Sequence, residues 1–199
     1  MGKYTMIPQD TFGGLQLNAG ILLRSFDPET GKEPSASDII CATSGGLTIS
    51  CSPSFSDMGA GVDNAPVNVK ELMKLDSWTC TMSFDALTTS IPFLKLALGC
   101  ADADATKVTP RRDLKQTDFT DIWWVGDRAD GGMVAVHLMN ALSTGGISLK
   151  TNNNGTGQTS VTLTGHVSVD AQDVVPMEFY SSAAIENEEV TENGEGEGA

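Results

Sequence analysis

The chain has 199 residues, and its 12 Lys and Arg are outnumbered by 26 Asp and Glu, which gives a formal net charge of −14. This length suits one domain with extensions, large enough to fold without disulfides or metals. The charge excludes a protein that grips nucleic acid by neutralising phosphates, but allows one that surrounds nucleic acid without binding it. The sequence has no apolar run of about 18 residues and no apolar amino-terminal segment, so we expect neither a membrane span nor a signal peptide.

Stretches in the first half of the chain alternate between apolar and polar residues, which is the pattern of a strand with one buried face. Residues 1–20 are rich in glycine and polar residues and predict an N-terminal arm, followed by a short strand over 21–26. A second strand is predicted over 47–51, and a third, with the clearest alternation, over 78–84. Residues 53–76 predict a long inter-strand loop, and such loops in compact domains are usually functional.

A helix is predicted over 90–98, after the third strand. Ser90 can cap the first turn, Pro92 is tolerated within that turn, and Gly99 suits the position after the helix end. The side chains expected to pack on the sheet are Leu94, Ala97 and Leu98.

Two apolar runs, 119–125 and 133–139, flank a segment rich in glycine and aspartate and predict a β-hairpin. Trp123 and Trp124 are adjacent, so they point to opposite faces of this hairpin. We expect one face against the core and the other against a neighbouring element or another subunit. If one ring lies at a subunit contact, its replacement by alanine should block assembly and leave the subunit folded.

Further strands are predicted over 147–150, 161–169 and 174–181. Pro176 within the last of them suits an edge strand or a bulge. About eight strands and one helix predict a mainly β fold, an antiparallel β-sandwich or partial barrel with one flanking α-helix. This domain is expected over residues 21–184, and the glutamate- and glycine-rich residues 185–199 predict a flexible acidic tail.

Catalysis, a cofactor or a metal centre is not predicted by any residue pattern. His137 and His166 fall inside predicted strands without a nearby nucleophile motif, so we interpret them as strand residues. Asp102 and Asp104 lack the glycine and glutamate of a calcium loop and fit a solvated loop better. The cysteines have no paired metal-ligand spacing and are predicted to be reduced, buried thiols: Cys41, Cys51, Cys80 and Cys100.

One basic cluster lies in the polar loop 102–116 and consists of Lys107, Arg111, Arg112 and Lys115. Two interpretations stay open, a salt-bridged contact with the acidic surface of another copy and a solvated loop. Contact with nucleic acid is a weaker alternative, given the overall negative charge.

Three blocks in the second half of the chain resemble tail tube proteins, or major tail proteins, of long-tailed phages and prophages: TPRRDLKQTDFTDIWWVGD, GGMVAVHLMNALSTGGISL and TGHVSVDAQDVVPMEFY. A fourth block is similar to the first sandwich strands of that family and the loop between them: ATSGGLTISCSPSFSDMGAGVDNAPVNVKELMKLDSWTC. The resemblance covers roughly residues 20–181 and leaves out the first residues and the acidic tail.

The resemblance implies a structural virion protein, made in the host bacterial cytoplasm, that forms hexameric rings stacked as a hollow tail tube. Its implied partners are further copies of itself and the tape-measure, tail terminator and baseplate or tip proteins. Double-stranded DNA would pass through the bore without specific binding, because an acidic surplus repels phosphates. The sequence does not assign particular residues to the bore, and we expect neither a cofactor nor a membrane contact.

Contacts between copies require exposed apolar and aromatic surface, and the long loop and the N-terminal arm are natural contacts between stacked rings. The residues predicted at self-assembly interfaces are Phe55, Met58, Val62, Asp63, Arg111, Arg112, Trp123 and Trp124.

The alternative function is a non-enzymatic β-sandwich module that binds carbohydrate or another ligand, such as a virion decoration protein. That class requires an exposed aromatic platform and stays monomeric or forms small closed oligomers, whereas a tube protein forms rings or filaments. An enzyme is a third class, for which the sequence offers no supporting constellation.

Overall fold

The computed structural model describes residue 8 and residues 11–183, so the acidic tail predicted over 185–199 lies outside the described residues. Helix α1 covers Ile91–Leu98. The strands are β1 (Gln16–Leu23), β2 (Thr43–Asp57), β3 (Met73–Ala86), β4 (Ala101–Ala103), β5 (Val108–Pro110), β6 (Thr120–Arg128), β7 (Met133–Ser143), β8 (Ser148–Lys150), β9 (Gln158–Thr164) and β10 (Met177–Ser182). The prediction of a mainly β, antiparallel fold with one flanking helix is confirmed. In this part of the chain no helix has the length and apolar character needed to cross a membrane.

Strand β7 belongs to two sheets. Over its first half it lies between β6 and β10, and β1 completes sheet I in the order β1–β6–β7–β10. At Leu142 and Ser143 it pairs with β9, which continues through β3 to β2 as sheet II, while β8 also pairs with β9. Because the sheets share β7, the sandwich is joined along one side as in a partial barrel.

The strand turns from sheet I to sheet II at Asn140, whose backbone has a φ of 46°. The Asn140 N–H donates to Asp121 Oδ1 at 2.9 Å, and its side-chain amide donates to the His166 carbonyl at 3.1 Å. The pairing with β6 shifts register at the same place, and such a bulge bends a strand. Asparagine tolerates left-handed backbone better than most residues, so its place in the sequence fixes the corner.

The main hydrophobic core lies between the two sheets and takes in α1. The apolar side of the third predicted strand is confirmed, because Cys80, Met82 and Phe84 are all buried. The other large side chains of this core are Leu22, Phe93, Leu96, Ile122, Trp124, Val136, Leu138, Val161 and Leu163. Burial of this apolar area supplies the dominant favourable term in folding.

A smaller cluster covers the opposite face of sheet I. Leu23, Trp123 and Ala135 are buried there, and the side chains packed against them are Phe26, Val125 and Tyr180. Gly20 allows β1 to pass close to the neighbouring strand, because its φ is 69° and a Cβ would lie 2.5 Å from Trp124 Nε1. The outer cluster explains why the predicted hairpin is apolar on both of its faces.

Helix α1 lies within the predicted range, but two details of the prediction were wrong. Its buried residues are Phe93, Leu96 and Ala97, so only Ala97 of the predicted packing face is buried. The Ser90 side chain makes no capping hydrogen bond. The helix ends as predicted at Gly99, where a φ of 71° lets its N–H donate back into the last turn.

Several predicted boundaries are corrected by the strand pairing. Strand β1 begins at Gln16, because its early residues pair with the end of β6, so the N-terminal arm does not extend to residue 20. The long loop predicted over 53–76 is shorter in the structure, because β2 and β3 stay paired as far as Asp57 and Met73 and leave only 58–72 between them. The polar loop 102–116 contains the small β4–β5 hairpin. Pro176 precedes β10 and does not interrupt it.

We expect Asn140→Val to destabilise the protein by about 1–3 kcal/mol, because a β-branched residue is strained at positive φ. Asn140→Gly is the matched control, since it keeps the backbone conformation and loses only the side-chain hydrogen bond, at a cost of about 1 kcal/mol. Urea unfolding of both variants measures the difference. A valine variant as stable as the glycine variant would contradict the assignment of the corner to Asn140.

Candidate functional site

The most prominent surface feature is a two-stranded extension of β2 and β3. Strand β9 accompanies β3 only from Thr81 to Ala86, whereas β2 and β3 remain paired down to the Asp57–Met73 pair. We call residues 53–78, which lie beyond the end of β9, the hairpin arm. Strand pairs without a covering layer are marginal by themselves, so the arm depends on its root in sheet II.

The hairpin arm is amphipathic. Directly opposed residues share one face of a ribbon, and successive pairs alternate between faces. One face continues the core side of sheet II and carries the pairs Pro53–Trp78, Phe55–Leu75 and Asp57–Met73. The other face carries Ser54–Ser77 and Ser56–Lys74. Phe55 is 56% exposed and Trp78 38%, so nothing in the described part of the chain covers the apolar face.

The tip of the arm is ordered by Asp57. Its carboxylate accepts hydrogen bonds from the Gly59 N–H at 2.8 Å and the Asn68 N–H at 3.2 Å, across a tip that contains two short 3-10 turns. These bonds satisfy backbone donors that the turns leave free. The tip therefore presents its apolar side chains on a defined scaffold, and the exposed ones are Met58, Val62 and Val67.

Four of the predicted interface residues are brought together by this arm: Phe55, Met58, Val62 and Asp63 are all exposed on it. The sequence analysis missed Met73, Leu75 and Trp78 as members of the same surface. The serines at 52, 54 and 56 continue the period-two pattern of β2 and could have revealed the longer strand, but Pro53 and the glycine-rich tip favoured a loop.

An open groove lies at the root of the arm. Leu75 and Trp78 line one side, and the segment before β10 lines the other with Val174, Val175 and Pro176. Polar residues, Asp76 and Gln172 among them, also line the groove. The groove shares Leu75 and Trp78 with the apolar face of the arm.

Trp123 and Trp124 do point to opposite faces, one towards the core and the other towards a neighbouring element of the same chain, which was one of the two expectations. A role of either ring at a subunit contact stays a prediction. Each residue is only 9% exposed. Trp124 lies in the main core and its Nε1 donates to the Ala19 carbonyl at 2.9 Å. Trp123 stacks on His137, with ring centroids 4.0 Å apart, in the outer cluster.

Arg111 is also engaged within its own chain. Its guanidinium lies 3.0 Å from Asp102 and 3.5 Å from Asp113, and it donates to the buried carboxylate of Asp118. The predicted salt bridge to another copy is therefore not needed to pair this residue. Arg112 is exposed beside it, and its interface role stays a prediction.

Asp118 is held by two kinds of donor. Its Oδ2 accepts the Lys115 N–H at 2.8 Å, and its other oxygen accepts from Arg111. Burial opposes ionisation of the carboxyl, but the Lys115 N–H and the Arg111 guanidinium outweigh it and hold the pKa of Asp118 below its ordinary value. The cluster thus fastens the loop between β5 and β6.

The outer face of sheet II is lined by hydroxyl groups. Its side chains on three neighbouring strands are Thr48, Ser50, Ser52, Thr79, Thr81, Ser83, Asp85, Ser160, Thr162 and Thr164. Several hydrogen-bond to one another, as Ser83 Oγ does to Thr162 Oγ1 at 3.0 Å. Asp85 is the one charged member of this set, and the lysines on the same face lie at its margins, Lys74 on the arm and Lys150 on β8.

The histidines have structural neighbours. His137 lies in β7 as predicted, between Asp121 and Glu178 at 3.5 and 3.6 Å. His166 lies after β9, not within it, because the strand ends at Thr164. The described residues contain no group of three or more His, Cys, Asp or Glu side chains placed to hold a metal ion.

Comparison with known proteins gives no family assignment: no protein-family model matches the sequence, and no curated protein matches it significantly.

We expect Trp123→Ala and Trp124→Ala each to lower the free energy of unfolding by about 3–5 kcal/mol, because each leaves a cavity in a buried cluster. Trp78→Ala is the matched control, since this third tryptophan is 38% exposed and lies outside both buried clusters, so its loss should cost less than either of the others. Urea unfolding followed by circular dichroism compares the three variants. Equal losses in all three would contradict the placement of the rings.

The lowered pKa of Asp118 predicts a specific acid sensitivity. A carboxylate of this kind contributes stability above its unfolded pKa of about 4, and the contribution is lost as the pH falls through the folded pKa. Asp118→Asn should be less stable than wild type at neutral pH and should lose less stability between about pH 5 and pH 2. Asp113→Asn, which alters an exposed partner of Arg111, should follow the wild-type curve. If the free energies of unfolding of Asp118→Asn and wild type fell in parallel with pH, the role assigned to Asp118 would be contradicted.

Proposed function

We propose that this protein is a structural virion protein that self-assembles into hexameric rings, and that the rings stack into a hollow phage tail tube that conducts the genome. The observation that carries the proposal is the hairpin arm, whose apolar face runs on from the core of the sandwich without a cover. Such a surface is expected where another copy of the chain completes the hydrophobic layer.

The uncovered face supports head-to-tail contact between copies. The tip of the arm exposes Met58, Val62 and Val67, and the groove lies at the other end of the arm, so the two are separate surfaces of the same subunit. A contact that joins two different surfaces repeats from subunit to subunit, and it gives a ring when its rotation closes. Trp78 and Phe55 are the aromatic anchors, a residue class that dominates binding energy at interfaces.

Strand edges offer a second route to association. Among the described residues, β2 has a strand partner on one side only. Strand β1 pairs with β6 on one side, and on the other side only its end is bridged, through Leu23 and Ile39. An unpaired edge carries free N–H and C=O groups that can pair with the edge of another copy. Ring closure by strand pairing would extend sheet II from one subunit to the next.

The hydroxyl face of sheet II supports a role in lining the bore. Most of its side chains are hydroxyls that can form hydrogen bonds. Asp85 supplies the single carboxylate, and no basic side chain lies at the centre of the face. Phosphates would find no cation at the centre of this face, since Lys74 and Lys150 lie at its margins, and no apolar surface to adhere to, so DNA could slide along it. The net charge of −14 adds repulsion over longer range.

The proposal places the protein in the virion tail after synthesis in the bacterial cytoplasm, without enzymatic activity or cofactor. Its further partners would be the tape-measure, tail terminator and baseplate or tip proteins. A ligand-binding β-sandwich is the second candidate, and the exposure of Trp78 beside the root groove favours it. A monomer that binds glycans at every concentration would select this candidate.

The test is assembly of the purified protein, imaged by negative-stain electron microscopy at high concentration. Wild type should form rings with a central hole or hollow tubes. Phe55→Glu should abolish the rings and tubes. It should leave the free energy of unfolding within about 0.5 kcal/mol of wild type, because the residue is exposed. Ser54→Glu is the matched control: it adds the same charge to the opposite face of the arm and should assemble.

Two outcomes would count against the proposal. Rings formed equally well by Phe55→Glu would remove the arm from the interface. Wild type that stays monomeric at all concentrations, and binds a glycan through Trp78, would replace the tube by the ligand-binding module.

A further inference from the structure

Two cysteines face each other at the root of the hairpin arm. Cys51 in β2 and Cys80 in β3 are direct register partners, and their Sγ atoms are 3.2 Å apart. Both are free thiols. Cys80 is fully buried, whereas Cys51 is half-buried, so one thiol of the pair is within reach of small solutes.

The backbone at this pair suits a covalent link. The Cys80 carbonyl accepts a hydrogen bond from the Gly165 N–H at 2.9 Å, on the side of β3 that faces β9. Its peptide groups therefore point away from β2, and Cys51–Cys80 is a non-hydrogen-bonded pair. Opposed residues in such pairs have Cα atoms about 4.5 Å apart, within the range of about 4.4–6.8 Å that a disulfide spans.

We propose that Cys51 and Cys80 are an oxidation site, a dithiol that closes to a cross-strand disulfide when the protein meets an oxidising low-molecular-weight disulfide. The inference rests on the paired thiols alone and does not require the tube function. It also departs from the sequence-based prediction that all four cysteines are reduced, buried thiols, and Cys51 and Cys100 are only partly buried.

The reaction proceeds by two exchange steps. The thiolate of Cys51 attacks one sulfur of the small disulfide, forms a mixed disulfide and releases one small thiol. The Cys80 sulfur attacks Cys51 Sγ and breaks the bond between Cys51 and the small thiol, which forms the protein disulfide. The Cys80 proton passes to the departing small thiolate, which leaves as the second small thiol. Two electrons pass from the cysteines to the small disulfide, which leaves as two thiols.

The burial of Cys80 sets the order of these steps. Burial, followed by the hydrogen bond with Cys51 and the negative charge of the Cys51 thiolate, raises the pKa of Cys80 to about 12. Cys80 is therefore a poor first nucleophile, and Cys51 is the entry point. Burial also raises the pKa of Cys41 to about 11, and that thiol has no cysteine opposite it in the strand pairing.

The disulfide would enclose the whole arm in one covalent loop, from residue 51 to residue 80. Closing a loop of this length restricts the unfolded chain and so favours the folded state. It would also fix the register of β2 against β3 at the point where β9 no longer supports the ladder. Reduced protein keeps an arm whose strands are held by hydrogen bonds alone.

The experiment exposes the native full chain to mixtures of reduced and oxidised glutathione and follows its intact mass, its free thiols and its thermal midpoint. We expect a mass lower by two hydrogen atoms, a cross-linked peptide containing Cys51 and Cys80, and a midpoint raised by roughly 5–10 °C. Dithiothreitol should reverse all three. The variant with Cys41→Ala and Cys100→Ser keeps the pair and should behave identically.

Three results would overturn the proposal: both thiols staying titratable in mixtures that oxidise other protein dithiols, a lasting glutathione adduct on Cys51, or a disulfide that involves Cys41 or Cys100. Cys80→Ala tests the order of steps, because it should stop at the Cys51 adduct. The wild-type measurement decides the proposal even if that variant fails to fold.

Discussion

The fold depends on one strand, β7, that forms hydrogen bonds in two sheets. Its first half needs β6 and β10 as neighbours, and its last residues need β9, so the chain must bend between them. The left-handed backbone of Asn140 supplies that bend, and the Asp121 carboxylate accepts its N–H. Without a corner at this position the two sheets could not face each other across a shared core.

The hairpin arm follows from a mismatch of strand lengths. Strand β9 covers 7 residues, whereas β2 and β3 cover 15 and 14. The parts of β2 and β3 that extend beyond β9 have no third strand beside them. They nevertheless keep the apolar alternation of a strand with one buried face. A chain that maintains this alternation beyond its own core has an apolar face that only another molecule can cover.

Much of the fold could be predicted from the sequence, because β3 and β9 alternate and the hairpin and the helix carry recognisable glycine signals. The hairpin around Gly131, the strand through Met82 and the helix before Gly99 all lie where their patterns indicate. The arm could not be predicted as strand, because Pro53 and the glycine-rich tip are typical of loops and pairing between distant residues decided the structure. The sequence also did not show how far the two tryptophans are buried, because distant segments cover them. These are the segment around Phe26 for Trp123 and strand β1 for Trp124.

The loop before β6 shows the same limit. Four basic residues in an acidic chain suggest an external partner, but Arg111 finds three carboxylates within its own loop region. Asp102 lies in β4, and Arg111 and Asp118 follow β5. Because β4 and β5 pair as a hairpin, both carboxylates come close to the Arg111 guanidinium. The sequence therefore did not reveal the ion pairs of Arg111, which form because strand pairing brings their partners close in space.

The bulge in the arm has a mechanical meaning. Between the Ser54–Ser77 and Phe55–Leu75 pairs, β3 carries the extra residue Asp76, whose carboxylate accepts from Ser56. An extra residue on one strand locally interrupts the ladder and increases its twist. The outer half of the arm is therefore joined to the rest of β2 and β3 at a point where the hydrogen-bond ladder is interrupted. Because the arm also has no third strand beside it, its amide hydrogens should exchange with solvent well before those of β7.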